Sequence, residues 1–144
     1  MNVKEFEAVS KLEGSKRYEY FIKKVADNEE LWGLYNDGWA MVGDDDKNEM
    51  IPFWPKKEFA EACCFKQWDT YNAEPIDLYE FINGWLVDMK KDKLSAAIFY
   101  TKDDKGVVAN PEKLIIAMIV YALIAYGVVR LIEIFSTNKH RELR

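Results

Sequence analysis

At 144 residues, 49% of them hydrophobic and 15% aromatic, the chain has core material for one domain, which excludes both disorder over most of its length and two full domains. Its net charge of −5 is uneven: Met1–Lys113 carries 16 basic and 23 acidic residues, while Leu114–Arg144 carries 4 basic and 2 acidic ones. An acidic body repels phosphate backbones, so nucleic acid is not an expected partner, and the charge suits either a basic protein partner or solubility alone.

Val3, Phe6 and Val9 stand at three-residue steps and predict a short first helix, stopped at Gly14. Ser15 is the expected cap of a second helix, SKRYEYFIKKVADN, with Tyr18, Phe21, Ile22 and Val25 on one apolar stripe. Asn36-Asp37-Gly38 is a turn signal between aromatic-rich runs, and the polar stretch Asp44–Asn48 is a second break, so three antiparallel strands are expected near residues 30–36, 38–43 and 49–54. Pro55 opens a helix through KKEFAEACCF, and QWDTYNAEP reads as a loop.

The clearest helix is DLYEFINGWLVDMKK. Leu78, Phe81, Ile82, Trp85, Leu86 and Met89 keep the i, i+3, i+4 pattern, and Asp77 with Glu80 makes a capping-box-like start. LSAAIFYT and GVVA read as strands around the turn KDDKG. Asn110 then caps a last helix with Pro111 in first position. This order predicts an α+β fold: a small, mostly antiparallel sheet packed with helices, followed by a long apolar C-terminal helix. The expected division is an α+β domain over 1–113, an apolar helix over 114–135 and a charged tail over 136–144.

Several stretches carry a family likeness: W-G-L-Y-x-x-G-W at Trp32–Trp39, P-x-W-P at Pro52–Pro55, EFAEAC, DLYEFINGWL, and G-V-V before the last helix. Over about Arg17–Leu114 the chain resembles a bacterial family of small proteins catalogued as domain of unknown function 2750. The resemblance implies a compact domain with no assigned activity, cofactor or catalytic residue, so no functional residue carries over from it. Members of that family close soon after P-E-K-L with a short charged helix, whereas here some twenty apolar residues follow.

Motifs for chemistry are scarce. Asp44, Asp46 and Asn48 match the first, third and fifth positions of a calcium loop, but Glu49 stands where the turn glycine belongs and Pro55 where the bidentate glutamate belongs, so no metal site is expected. His140 is the only histidine and lies in the charged tail, which leaves nothing for histidine-based catalysis. The adjacent Cys63 and Cys64 do not bridge each other and read as free thiols of a reducing compartment. MNVKEFEAVSKLEG has no apolar run of the export-signal kind, so a cytoplasmic domain is expected. The expectation is therefore a protein that is not an enzyme and needs no cofactor. A hydrolase built on paired carboxylates stays open as a different class, recognisable by a deep acidic cleft.

For partner binding, Trp39 with Asp44, Asp45 and Asp46 is the candidate surface: an aromatic anchor beside an acidic hairpin, suited to a basic protein. A small, acidic immunity-type inhibitor or regulatory protein is one specific form of this expectation. Leu114–Val129 has no charged residue and, at 1.5 Å per residue, reaches ~24 Å, short of a ~30 Å hydrocarbon core. Extension to Phe135 reaches ~33 Å and takes in Arg130 and Glu133. A helix this apolar on all sides must be covered by lipid, a core or another subunit. Leu114, Ile119, Leu123, Val128 and Ile132 are the candidate residues of a membrane or dimer helix, placing the protein at the cytoplasmic face of a membrane or, alternatively, in the cytoplasm as a soluble homodimer. The basic tail and the mid-span tyrosines count against a single span.

Overall fold

The structure, a computed structural model, describes residues 1–43 and 45–142; from residue 130 onward only the side chains of residues 132, 133 and 136 are described. The first two helices are α1 (Val3–Ser10), capped by the Asn2 side chain, and α2 (Gly14–Asn28). Ser15 does not cap α2. Glu13 holds the N-cap position in extended geometry, and the Ser15 hydroxyl donates to its carboxylate at 3.2 Å.

Six strands follow in two sheets: β1 (Glu30–Tyr35) with β4 (Asn72–Asp77), and β2 (Val42–Gly43), β3 (Glu49–Phe53), β5 (Ser95–Ile98) and β6 (Val107–Ala109) in the order β2-β3-β5-β6. All pairings are antiparallel except β3 with β5. The expected three-strand meander over 30–54 is therefore corrected. β1 pairs with β4, a segment read as loop because Pro75 and the exposed Asn72 and Glu74 break any apolar alternation. β2 shrinks to two residues. The two sheets are stitched at Trp32 and Trp54, which exchange backbone hydrogen bonds at 2.8 Å in both directions.

Helix α3 is short (Lys57–Glu61), and a 3-10 turn, Lys66–Trp68, leads to β4. The expected helix after Asp77 is present with an interruption: α4 (Leu78–Glu80), a π-helical turn (Phe81–Trp85), then α5 (Leu86–Lys91). Asp77 caps it as expected, its carboxylate accepting from the Glu80 amide at 3.1 Å. The last helix, α6 (Pro111–Glu142), starts as expected at the Asn110 cap, which accepts from the Lys113 amide at 2.8 Å. It leaves helical geometry at Gly127, where φ is 77° and ψ −176°.

The core is aromatic-rich. Phe21 and Val25 of α2 meet Phe53, Trp54, Phe81, Leu86, Ile98 and Phe99, and Leu114 and Met118 of α6 complete it. Among the described residues one charged side chain is buried, Arg17 on α2, whose guanidinium is shared by Phe99 O (3.1 Å), Leu12 O (2.6 Å), Lys105 O (3.0 Å) and the Asp104 carboxylate (3.0 Å). These bonds tie α2 to the α1–α2 connection, to Phe99 and to the 100–106 turn that follows it. Phe99 itself is buried at φ 63°, a strained conformation for a bulky residue.

Candidate functional site

The site begins with a spacing. The buried residues along α4–α5 are Leu78, Phe81, Leu86 and Met89, at steps of three, five and three. The step of five is the π turn, in which the Leu86 amide donates to Phe81 O. A regular helix would set Trp85 and Ile82 on the buried stripe, as periodicity alone predicts. The inserted residue instead leaves both half-buried at its margin and swings Trp85 outward.

Trp85 there meets Trp39, ring edge to face, at a centroid distance of 4.8 Å. Behind it Phe53 packs at 5.7 Å and Phe81 at 6.4 Å, so one indole rests on the core and the other on the first. Trp39 is held from its other side by Tyr35 at 5.1 Å, with which it also forms a bridge across the Asn36-Asp37-Gly38 turn. Its ring lies flat against β1 at Gly33. A Cβ on Gly33 would stand 2.9 Å from two of the Trp39 ring carbons, so only glycine admits the indole. The W-G-L-Y-x-x-G-W stretch is thus one device: turn, ring and the bare strand that receives it.

The two indoles floor an open cleft of about 640 Å³. Ile51, Met89 and Leu94 add apolar wall; Tyr79, Asn83 and the bare backbone of Gly84 line the π-turn side; Glu80, Asp88 and Asp92 stand around it. The lining includes three carboxylates and no Lys, Arg or His. Asn83 is oriented by donating its amide to Tyr79 O at 3.0 Å. The arrangement offers aromatic faces to a cation and carboxylates to its charge.

Of the residues singled out from sequence, Trp39 lies in this cleft. Asp44 lies outside the described residues. Asp45 and Asp46 are exposed in the β2–β3 turn and are not among the cleft's lining residues. The carboxylates that line the cleft together with Trp39 are Glu80, Asp88 and Asp92, which sequence reasoning missed. Glu80 and Asp88 lie on the helix predicted best, among its polar positions on either side of Trp85, and Asp92 is the residue that caps its C-terminal end. Among the described residues, no group of three or more His, Cys, Asp or Glu is placed to hold a metal ion.

The helix candidates differ in exposure along α6. Leu114 is buried in the domain core, together with Met118 and Ala122. Ile119 is half-buried, while Leu123, Val128 and Ile132 are exposed. Pro111–Val129 is long and apolar enough to cross a membrane by length and composition, with a mean hydropathy of 2.0.

The cysteines sit away from the cleft. Cys63 is buried, with its thiol pushed up to about 12 by burial, and Cys64 is raised for the same reason.

A small α+β domain with an aromatic, acid-rimmed cleft thus stands defined by its geometry. The family described as "Protein of unknown function (DUF2750)" matches residues 18–118, more than half of the chain, and the chain belongs to it. The match runs from α2 through the second turn of α6, so it spans both Trp39 and Trp85. No curated protein and no solved structure matches the chain.

Proposed function

We propose that the chain is a non-catalytic protein-binding domain whose Trp39–Trp85 cleft takes a Lys or Arg side chain from a basic segment of a partner. The carrying observation is the cleft itself: two indoles in edge contact at 4.8 Å, with Glu80, Asp88 and Asp92 around them and no lining cation to neutralise them. A cation over an indole is worth about 0.5–1 kcal/mol at an exposed site and about 2 when desolvated. Carboxylates add attraction that falls with salt. The cleft is open, where a carboxylate hydrolase calls for a deep acidic one, and this supports binding over the hydrolase reading. An immunity-type inhibitor of a basic toxin is the narrowest form of this function, and it rests on size and acidity alone.

The test is titration of tryptophan fluorescence with nine-residue Lys and Arg homopeptides, and with a Glu homopeptide as control. Binding of the basic peptides that weakens with salt, and falls at least tenfold in Trp39→Ala and in Asp88→Asn/Asp92→Asn, supports the reading. Equal binding by wild type and variants, or none by wild type, ends it.

A further inference from the structure

A second hollow, of about 460 Å³, lies between the Lys66–Trp68 turn and the 100–106 turn and shares no lining residue with the Trp39–Trp85 cleft. Its floor is aromatic: Trp68 is buried and meets the half-buried Tyr100 ring edge to face at 5.7 Å. That floor is held from several sides. The Tyr100 carbonyl accepts from the Trp54 indole at 2.9 Å and from the Cys63 thiol at 3.4 Å. The Tyr100 ring lies on the bare backbone of Gly106, where a Cβ would stand 2.8 Å from its Cδ2. Strained backbone borders the hollow on both sides: Lys66 has φ 52° and Phe99, which leads into Tyr100, has φ 63°. Such strain persists only where the surroundings over-determine it, and it clusters at functional sites.

The charge here is opposite to that of the chain. Lys66, Lys102 and Lys105 line the hollow, and none of their ammonium groups has an ion pair among the described residues. Of the two lining carboxylates, Asp104 is engaged by the buried Arg17 guanidinium at 3.0 Å, which leaves Asp103 to oppose three cations. A protein of net charge −5 thus keeps one locally cationic recess. The Phe65 ring carries the Lys66 ammonium 5.6 Å above it, at the edge of the aromatic floor. Thr101 adds a donor: its Oγ1 accepts the Asp104 amide at 3.0 Å, and its hydroxyl proton has no acceptor among the described residues.

We propose that this hollow binds a small phosphomonoester bearing a flat ring, as a nucleoside monophosphate does, with the ring against Tyr100 and the phosphate among Lys66, Lys102 and Lys105. Lysines act on phosphate as point charges, whereas the planar fork of arginine, absent from this lining, is the better match for a carboxylate. An aromatic side chain stacks on any base, since every base has a π-face. The volume lies in the range of small-molecule sites.

This site is independent of cation binding in the Trp39–Trp85 cleft. Adenosine monophosphate, adenosine and inorganic phosphate are each titrated into the full chain by calorimetry, and amide shifts in isotope-labelled protein locate the binding. The monophosphate is expected to bind with a dissociation constant of about 1 mM or below, weakening with salt, and at least tenfold more tightly than adenosine or phosphate. The shifts are expected at residues 65–68 and 100–106. Lys66→Gln/Lys105→Gln, both at exposed positions, should weaken the monophosphate at least tenfold, while Lys23→Gln on α2 should leave it unchanged. Asp103→Asn should tighten it at least twofold, a gain that damage to the fold does not produce. No binding of the monophosphate, unchanged affinity in Lys66→Gln/Lys105→Gln, or shifts at the Trp39–Trp85 cleft instead overturns the proposal. Phosphate bound as tightly as the monophosphate overturns the part given to the ring, and adenosine bound as tightly overturns the part given to the lysines.

Discussion

Arg17 is the residue on which the packing of α2 against the rest of the domain most depends. Its side chain is 1% exposed and its guanidinium bonds four groups, three of them main-chain carbonyls at 2.6–3.1 Å. Hydrogen bonds from a charged donor contribute about 1.5–3 kcal/mol each, but they share one side chain and do not add. The Asp104 carboxylate is 58% exposed and returns to water without great cost if its partner is lost. What remains is the loss of three carbonyl partners and of a filled volume, together about 3–5 kcal/mol for Arg17→Ala, a large part of the ~5–15 kcal/mol that holds a domain together. Arg17→Met restores most of the volume but none of the bonds and is expected to lose about 2–3 kcal/mol. Arg17→Lys keeps the charge yet cannot span the fork, and about 2 kcal/mol is expected to go. Urea unfolding followed by tryptophan fluorescence reads all three. With a slope near 2 kcal/mol/M, Arg17→Ala should move the midpoint down by about 2 M. A shift corresponding to less than 1 kcal/mol would refute the argument, since the four bonds would then be replaced by water at no net loss.

Three further outcomes follow from the geometry. Gly33→Ala sets a Cβ 2.9 Å from the Trp39 ring and is expected to cost about 1–3 kcal/mol while exposing that indole, read as a red shift in its emission. Glu5 accepts from the Tyr20 hydroxyl at 2.6 Å and faces Lys56 and Lys24; that bond and those charges hold its carboxyl below its ordinary 4.5, against the opposing effect of burial. A depressed folded-state value means stability that is present above 4.5 and lost as pH falls through the folded value. Thermal melting of Glu5→Gln should therefore lie below wild type at pH 7, with the gap closing below pH 4.5. A constant gap would show that the carboxylate's charge is not what stabilises. Finally, Cys63, 2% exposed with its thiol near 12, should resist iodoacetamide at pH 8 in the native protein and react fully in urea. Rapid native labelling at that position would contradict its burial.

Sequence legibility varied with how local the determining physics was. The helix over 78–91 and the caps at Asp77 and Asn110 rest on contacts within a few residues, and all three were readable. The π turn inside that helix was not, because FINGW has no composition that distinguishes it from an α-turn, and its result, Trp85 turned into the cleft, was lost with it. β4 was missed since NAEPID buries only Ile76 fully and shows no alternation; its partner β1 supplies the pairing. Arg17 had a faint signature: it stands four residues before Phe21 and eight before Val25, in line with the buried stripe of α2. Trp39 was picked out by its turn, but its neighbours come from a helix more than forty residues later. No local pattern states that meeting. The apolar run of α6 announced that it must be covered, while which of its residues are seated is set by α2 and α5.

The seat of α6 also bears on when this protein folds. Leu114, Met118 and Ala122 fill places in the core that no earlier residue fills, and Asp27 on α2 meets its tyrosine partners only once Tyr121 and Tyr126 exist. A chain leaving the ribosome at about 5–20 residues per second therefore carries an uncovered strip across α2 and α5 until α6 as far as Tyr126 has been made. For those seconds the nascent domain is an incomplete template awaiting a hydrophobic helix. Any other apolar helix at hand competes for the same strip, so the time of greatest risk to this protein is its own synthesis.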